Sequence, residues 1–130
     1  WQQPEEHKEE QDTYEQFLVK KDVQFIEKIH QVIEENLDNS DFNIDTIAST
    51  IGLSRSAFFK KLKSLTGFAP VDLVKEIRLN KSIELIKNSD MSISEIAFAV
   101  GFKDSGYFSK CFRKKYDQTP REYMNEWRKS

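Results

Sequence analysis

Between Asp22 and Asp38 the apolar residues Val23, Ile26, Ile29, Ile33 and Leu37 recur at intervals of three and four, which gathers them on one face of a helix. That helix is predicted to stop near Asp38-Asn39. Tyr14, Phe17 and Leu18 either extend it or dock separately. Downstream lie short helical patterns divided by polar residues, with no alternating segment long enough for a useful strand, so the expected class is all-α. Asn43 and Ser92 stand where N-caps belong, and Ser92 with Glu95 reads as a capping box. Thr119 with Glu122 reads as a second box, and Pro70 and Pro120 fit first helical turns. Gly52, Gly67 and Gly101 mark turns or helix ends where a positive φ is open to them. From Val71 to about Lys87 there is neither Gly nor Pro, and Leu73, Val74, Ile77, Ile83 and Ile86 predict one uninterrupted helix of about 25 Å.

The chain repeats itself. Ile44, Ile47, Ala48 and Gly52 recur as Ile93, Ile96, Ala97 and Gly101 at an offset of 49, with Ile51/Val100 and Leu53/Phe102 conservative. After the turn the offset becomes 50, pairing Ser54/Asp104, Phe58/Phe108, Lys60/Lys110, Leu62/Phe112, Lys63/Arg113 and Pro70/Pro120. Each copy has a short helix with a small Ala that admits a close neighbour, a Gly turn, and a second helix opened by Ser54 or Asp104. That is the anatomy of a helix-turn-helix, and two copies in register make a far more specific signal than one.

A turn of 100° per residue sorts the faces of each second helix. In the first copy Phe58, Lys61, Leu62 and Leu65 point to the core, with Lys61 free to snorkel; Ser56, Lys60 and Lys63 lie opposite, flanked by Phe59 and Ser64. In the second, Phe108, Cys111 and Phe112 face the core, and Gly106, Lys110 and Arg113 lie opposite, flanked by Tyr107, Ser109 and Lys114. A central lysine with small neighbours suits a guanine edge or a phosphate in a major groove. The exposed aromatic Phe59 can meet a thymine methyl or tuck against the preceding helix.

Taken as a total, composition opposes a polyanion partner, because 20 Lys+Arg against 22 Asp+Glu leave a net charge of −2. The distribution removes that objection. Residues 1–50 hold 13 acidic and 4 basic side chains, net −9, and residues 51–130 hold 9 acidic and 16 basic, net +7. Such asymmetry points to a polyanion-binding part joined to an acidic part, the latter expected to lie away from phosphates. At 130 residues there is room for one small domain, or two very small ones sharing a spine. No stretch approaches the ~20 apolar residues of a membrane span, so no membrane contact is expected. Cys111 has no partner for an internal disulfide, which fits a reducing cytoplasm. The first residue is Trp1 rather than Met, so the chain is expected to be a piece of a longer protein.

The second copy, from Ile96-Ala97 through Gly101-Phe102, Tyr107-Phe108-Ser109-Lys110 and Phe112-Arg113-Lys114 to Thr119-Pro120 and Tyr123, resembles the signature of the AraC/XylS family of bacterial transcription regulators. Ile77-Arg78-Leu79 with Ser82 resembles that family's spacer helix, where Ala is usual at the Ser82 position. The resemblance covers about residues 22–128. It implies two helix-turn-helix subdomains joined by a long spacer helix, about seven helices in all, with two recognition helices in successive major grooves of double-stranded DNA. Residues 1–21 are then an acidic linker, the first helix-turn-helix spans about 43–68, the spacer about 70–87, the second unit about 92–118 and a C-terminal helix about 120–128. Carried over by position, base contacts come from Ser56, Phe59 and Lys60 and from Ser105, Gly106 and Lys110. Phosphate contacts fall to Arg55, Lys61, Lys63, Lys103, Arg113, Lys114 and Lys115. Asp117 stands where the family usually has Gly, and Gly106 removes a side chain from a reading position.

The resemblance further implies RNA polymerase and other domains of a longer parent as partners, and the texture around Tyr107 to Phe112 looks like the output domain of hybrid two-component sensor regulators. No cofactor, metal site or catalytic residue is expected. His30 and Glu34 form an ordinary i,i+4 pair, His7, His30 and Cys111 are too scattered for a metal, and no nucleophile elbow or glycine-rich phosphate loop occurs. The other class open to this pattern is an all-α protein-interaction module in which the amphipathic first helix docks a partner.

Overall fold

The computed structural model describes residues 4–128. The described residues form helices only, in the order α1 (Pro4–Glu35), α2 (Ile44–Ile51), α3 (Arg55–Thr66), α4 (Pro70–Asn88), α5 (Ile93–Ala99), α6 (Ser105–Tyr116) and α7 (Pro120–Arg128). Five of these begin on side-chain caps named above. Asn43 accepts from the Thr46 N–H at 3.0 Å, Ser54 from Ala57 at 3.2 Å, Ser92 from Glu95 at 3.2 Å, Asp104 from Gly106 at 2.8 Å and Thr119 from Glu122 at 3.1 Å. Each satisfies a donor that a helix start leaves open.

α1 is longer than its apolar periodicity indicates. Residues 4–21, expected as a linker, are continuous with the helix, because Glu, Gln and Lys are strong helix formers and no Gly or Pro follows Pro4 until Gly52. The periodicity reported burial only in part. Ile29, Ile33 and Leu37 are buried and Ile26 is half-buried, but Val23, expected on the same face, stands exposed with Tyr14, Phe17, Leu18 and Val19, and Phe25 and Val32 complete the buried side instead.

The pairs α2 and α3, and α5 and α6, pack as two helix-turn-helix units. α4 touches α1, α3, α5 and α7. In the first unit Ile47, Phe58 and Leu62 are buried in one cluster with Ile29 and Ile33 of α1, and the Phe58 ring centroid lies 6.3 Å from that of Phe25. In the second, Ile96, Val100, Phe108 and Phe112 are fully buried, as is Ile86 of α4, and the Phe112 ring centroid is 4.6 Å from that of Tyr116 and 5.9 Å from that of Tyr123 of α7. Arg128 of α7 donates to the carbonyls of Ile86 at 3.0 Å, Ser89 at 2.7 Å and Met91 at 3.0 Å, which supplies partners to the C-terminal end of α4 and the loop behind it. Burial pushes the Tyr116 phenol up to about 12, and Glu76 adds to that shift.

Two core assignments are corrected. Leu65 is 38% exposed, with Phe68 and Val71 also open beside it, since the last turn of α3 and the start of α4 leave that side uncovered. Cys111 is half-buried rather than central, set on the flank of α6 that lines a groove along α4 with Phe68 and Leu79. Among the described residues no helix is long and apolar enough to cross a membrane.

Asp117 is the only described non-glycine residue with a positive φ, +61°, and its counterpart in the first unit, Gly67, has φ +78°. A left-handed C-cap favours glycine by about 1 kcal/mol, with Asp and Asn tolerated better than other residues. Asp117→Gly is therefore expected to stabilise the fold by up to about 1 kcal/mol in urea unfolding. Gly101 is the opposite case. At φ +95° a Cβ there would collide with the Leu37 carbonyl oxygen and sit 2.7 Å from the Arg78 guanidinium carbon, so Gly101→Ala is expected to abolish the cooperative transition.

Candidate nucleic-acid interface

The second helices of the two units, α3 and α6, turn matching basic faces outward. On α3, Ser56, Phe59, Lys60 and Lys63 are exposed, Phe59 at 47%, so its ring stands largely free. On α6, Gly106, Lys110, Arg113 and Lys114 are exposed, while Ser105 is only half-open beside the cap. The Gly106 N–H is occupied by the Asp104 carboxylate at 2.8 Å, so the second unit presents an acceptor at its leading end where the first presents the Ser54 hydroxyl.

The expected phosphate ligands divide into three groups. Lys63, Arg113 and Lys114 are exposed beside the reading faces. Arg55 and Lys103 are also exposed but carry carboxylate partners, Asp45 at 3.6 Å and Asp41 at 2.9 Å. Exposed pairs of this kind contribute about 0–1 kcal/mol, so a phosphate can replace the carboxylate with little penalty. The remaining two are corrected. Lys115 is turned inward, pairing with Glu76 and lying 2.7 Å from the Asn80 side-chain oxygen, so it ties α6 to α4. Lys61 holds its ammonium 4.3 Å from the Phe25 ring centroid, on the α1 side of α3 and away from the reading face.

Arg78, quoted in the sequence only as part of the spacer pattern, joins the units. It is 9% exposed and donates to the Gly101 carbonyl in the turn of the second unit and, at 3.3 Å, to the Asn39 carbonyl in the loop before α2. Burial lowers its pKa, but from a value so high that the guanidinium stays charged. Lys75 and Tyr107, in different elements and 32 positions apart in sequence, also meet, with the ammonium 5.7 Å from the ring centroid. The phenol beside it raises the Lys75 pKa. Neither pairing has a local signal, since helical periodicity sees only neighbours within a turn or two.

Two capped helix-turn-helix units, held on one spacer with basic second helices exposed, define a DNA-reading domain of the kind found in transcription regulators. Residues 47–126 match the helix-turn-helix domain family, and the chain belongs to the AraC-type branch of it. It is 38% identical over 106 residues to "Histidine kinase P4" of Formosa agariphila, a match covering 82% of this chain and 8% of that relative's length. Among solved structures it resembles the DNA-binding domain of the global transcriptional factor AdpA in complex with a target DNA, at 28% identity and a TM-score of 0.73, covering 81% of this chain and 93% of that one. An AraC-type DNA-binding-domain regulator from Chromobacterium violaceum gives 28% identity and a TM-score of 0.73, with 78% and 90% covered. The domain is thus a DNA-binding module of transcription regulation and not an enzyme.

Lys114→Ala is expected to weaken duplex binding uniformly across sequences and to flatten its salt dependence by about one unit of slope. Lys115→Ala should leave that slope unchanged and lower the melting temperature instead. Duplex titrations at several salt concentrations, with thermal unfolding of the same variants, check both.

Proposed function

We propose that α3 and α6 enter successive major grooves on one face of duplex DNA, with α4 as the rigid spacer between them. The observation that carries this reading is the pair of matched units with Lys60 and Lys110 at equivalent, exposed positions. Lys60 and Lys110 contact base edges, assisted by Ser56 and Phe59 in the first unit and by Ser105 and Gly106 in the second. Lys63, Arg113 and Lys114 hold phosphates, joined by Arg55 and Lys103 once these leave Asp45 and Asp41. With no side chain at Gly106, the second unit reads fewer bases than the first.

The acidic residues 1–21 form the approach to a domain spanning 22–128, and the likeness to a histidine kinase favours a parent that couples this domain to sensor modules in a two-component system. A DNA target favours the cytoplasm as the compartment and RNA polymerase as the downstream partner, and the free thiol of Cys111 is compatible with that reading.

Lys60→Ala and Lys110→Ala are each expected to weaken specific binding by ~1–3 kcal/mol and to relax the base preference at one position of the site. Affinities measured on a selected duplex and on its single-base variants decide the matter. Equal weakening on every sequence would show both lysines to be phosphate contacts.

A further inference from the structure

Between the two units lies a cleft of about 500 Å³, a size typical of small-molecule sites. Its walls come from three segments: Phe42 and Ile44 around the start of α2, Val71 and Val74 on α4, and Phe102 and Tyr107 flanking the α6 cap. All six are apolar or aromatic. Of the cations on the cleft, Arg78 is committed to the Gly101 and Asn39 carbonyls and Lys103 to Asp41. Lys75 differs from both. Its ammonium has the Tyr107 phenol beside it, and among the described residues no carboxylate stands within ion-pair distance of it.

Asp72, one turn back on α4, acts on Lys75 without forming an ion pair, and the Asp104 carboxylate at the cleft edge is taken by the Gly106 N–H. A cation free to take a direct anionic partner on a largely apolar cleft selects for a particular chemistry. A DNA phosphate would satisfy Lys75 but leave the apolar walls wet. A neutral apolar molecule would dry the walls and give Lys75 nothing. An apolar body bearing a carboxylate does both, with the buried positive charge of Arg78 adding to the attraction.

We propose that this cleft binds a small apolar carboxylate, its body packed between Phe42, Val74 and Phe102 and its carboxylate on the Lys75 ammonium and the Tyr107 hydroxyl. The occupant lies against Asp104, the cap of α6, and against the Arg78–Gly101 joint, so it sits at the contact that sets the second reading helix against the spacer.

The test is an NMR titration of the ¹⁵N-labelled 130-residue chain with 2-naphthoate, and with 2-naphthylmethanol as its neutral analogue. The expected result is saturable shifts at the amides of Phe42, Ile44, Val74, Phe102 and Tyr107 with naphthoate. Lys75→Met should weaken that binding about tenfold or more, as the loss of a charge-assisted hydrogen bond does, and leave the alcohol's binding unchanged; Lys75→Arg should retain it. Equal binding of acid and alcohol, or shifts centred elsewhere, would overturn the proposal. So would an absence of naphthoate binding accompanied by loss of duplex affinity in Lys75→Met, which would make Lys75 a phosphate contact.

Discussion

The Arg78 guanidinium, at the middle of α4, bonds the Gly101 carbonyl of the second unit and the Asn39 carbonyl that precedes the first, and both units take their positions from this joint. The fit leaves no room for a Cβ at Gly101, whose backbone packs against both Arg78 and the Leu37 carbonyl. A charge this deeply buried is tolerated only with partners in place, and removing either side would strand a desolvated group at about 1–3 kcal/mol or more. The Arg78 Nε has no acceptor among the described residues, so the joint is held through the other nitrogens alone. Lys115 with Glu76, and Arg128 with the carbonyls beyond α4, add further ties from α6 and α7 to the same helix. With α4 at 19 residues, about 28 Å at 1.5 Å per residue, the two reading helices are fixed at a separation and a phase rather than merely tethered.

Electrostatics then acts on this frame at two levels. The overall charge of −2 averages an acidic first 50 residues and a basic remainder, and the second is the part that the proposed reading turns toward DNA. At closer range the acidic side reaches into the basic one, where Asp41 holds Lys103 and Asp45 holds Arg55, both in solvent. Exposed pairs are weak and screened by salt, so a phosphate could replace either carboxylate at little cost, as the proposed reading requires, while the buried cation Arg78 is not available for such an exchange.

The sequence revealed local features well and long-range ones poorly. The caps at Asn43, Ser54, Ser92, Asp104 and Thr119 and the outward lysines at 60 and 110 follow from spacing within a few residues, and the repeat from matching two such local patterns 49 to 50 positions apart. The boundary expected at Asp22 marked where burial begins, but the helix starts at Pro4, because helix propensity continues where apolar contacts have stopped. Leu65 fell on the core side of a helical wheel that has no knowledge of where a neighbouring helix ends. Arg78, Lys75 and Lys115 each draw their role from a partner more than twenty positions away, which periodicity cannot report. Asp117 is the informative intermediate, since its departure from the usual Gly was visible in the sequence and its left-handed φ is what gives that departure a physical meaning.

If the joint at Arg78 sets the two heads at a fixed phase, duplexes selected from a random library by this domain should carry two short motifs at one constant spacing, with centres about one helical turn apart, ~10 base pairs. Selection followed by sequencing measures this directly. A single motif, or two motifs at freely varying spacing, would contradict a rigid two-headed reader.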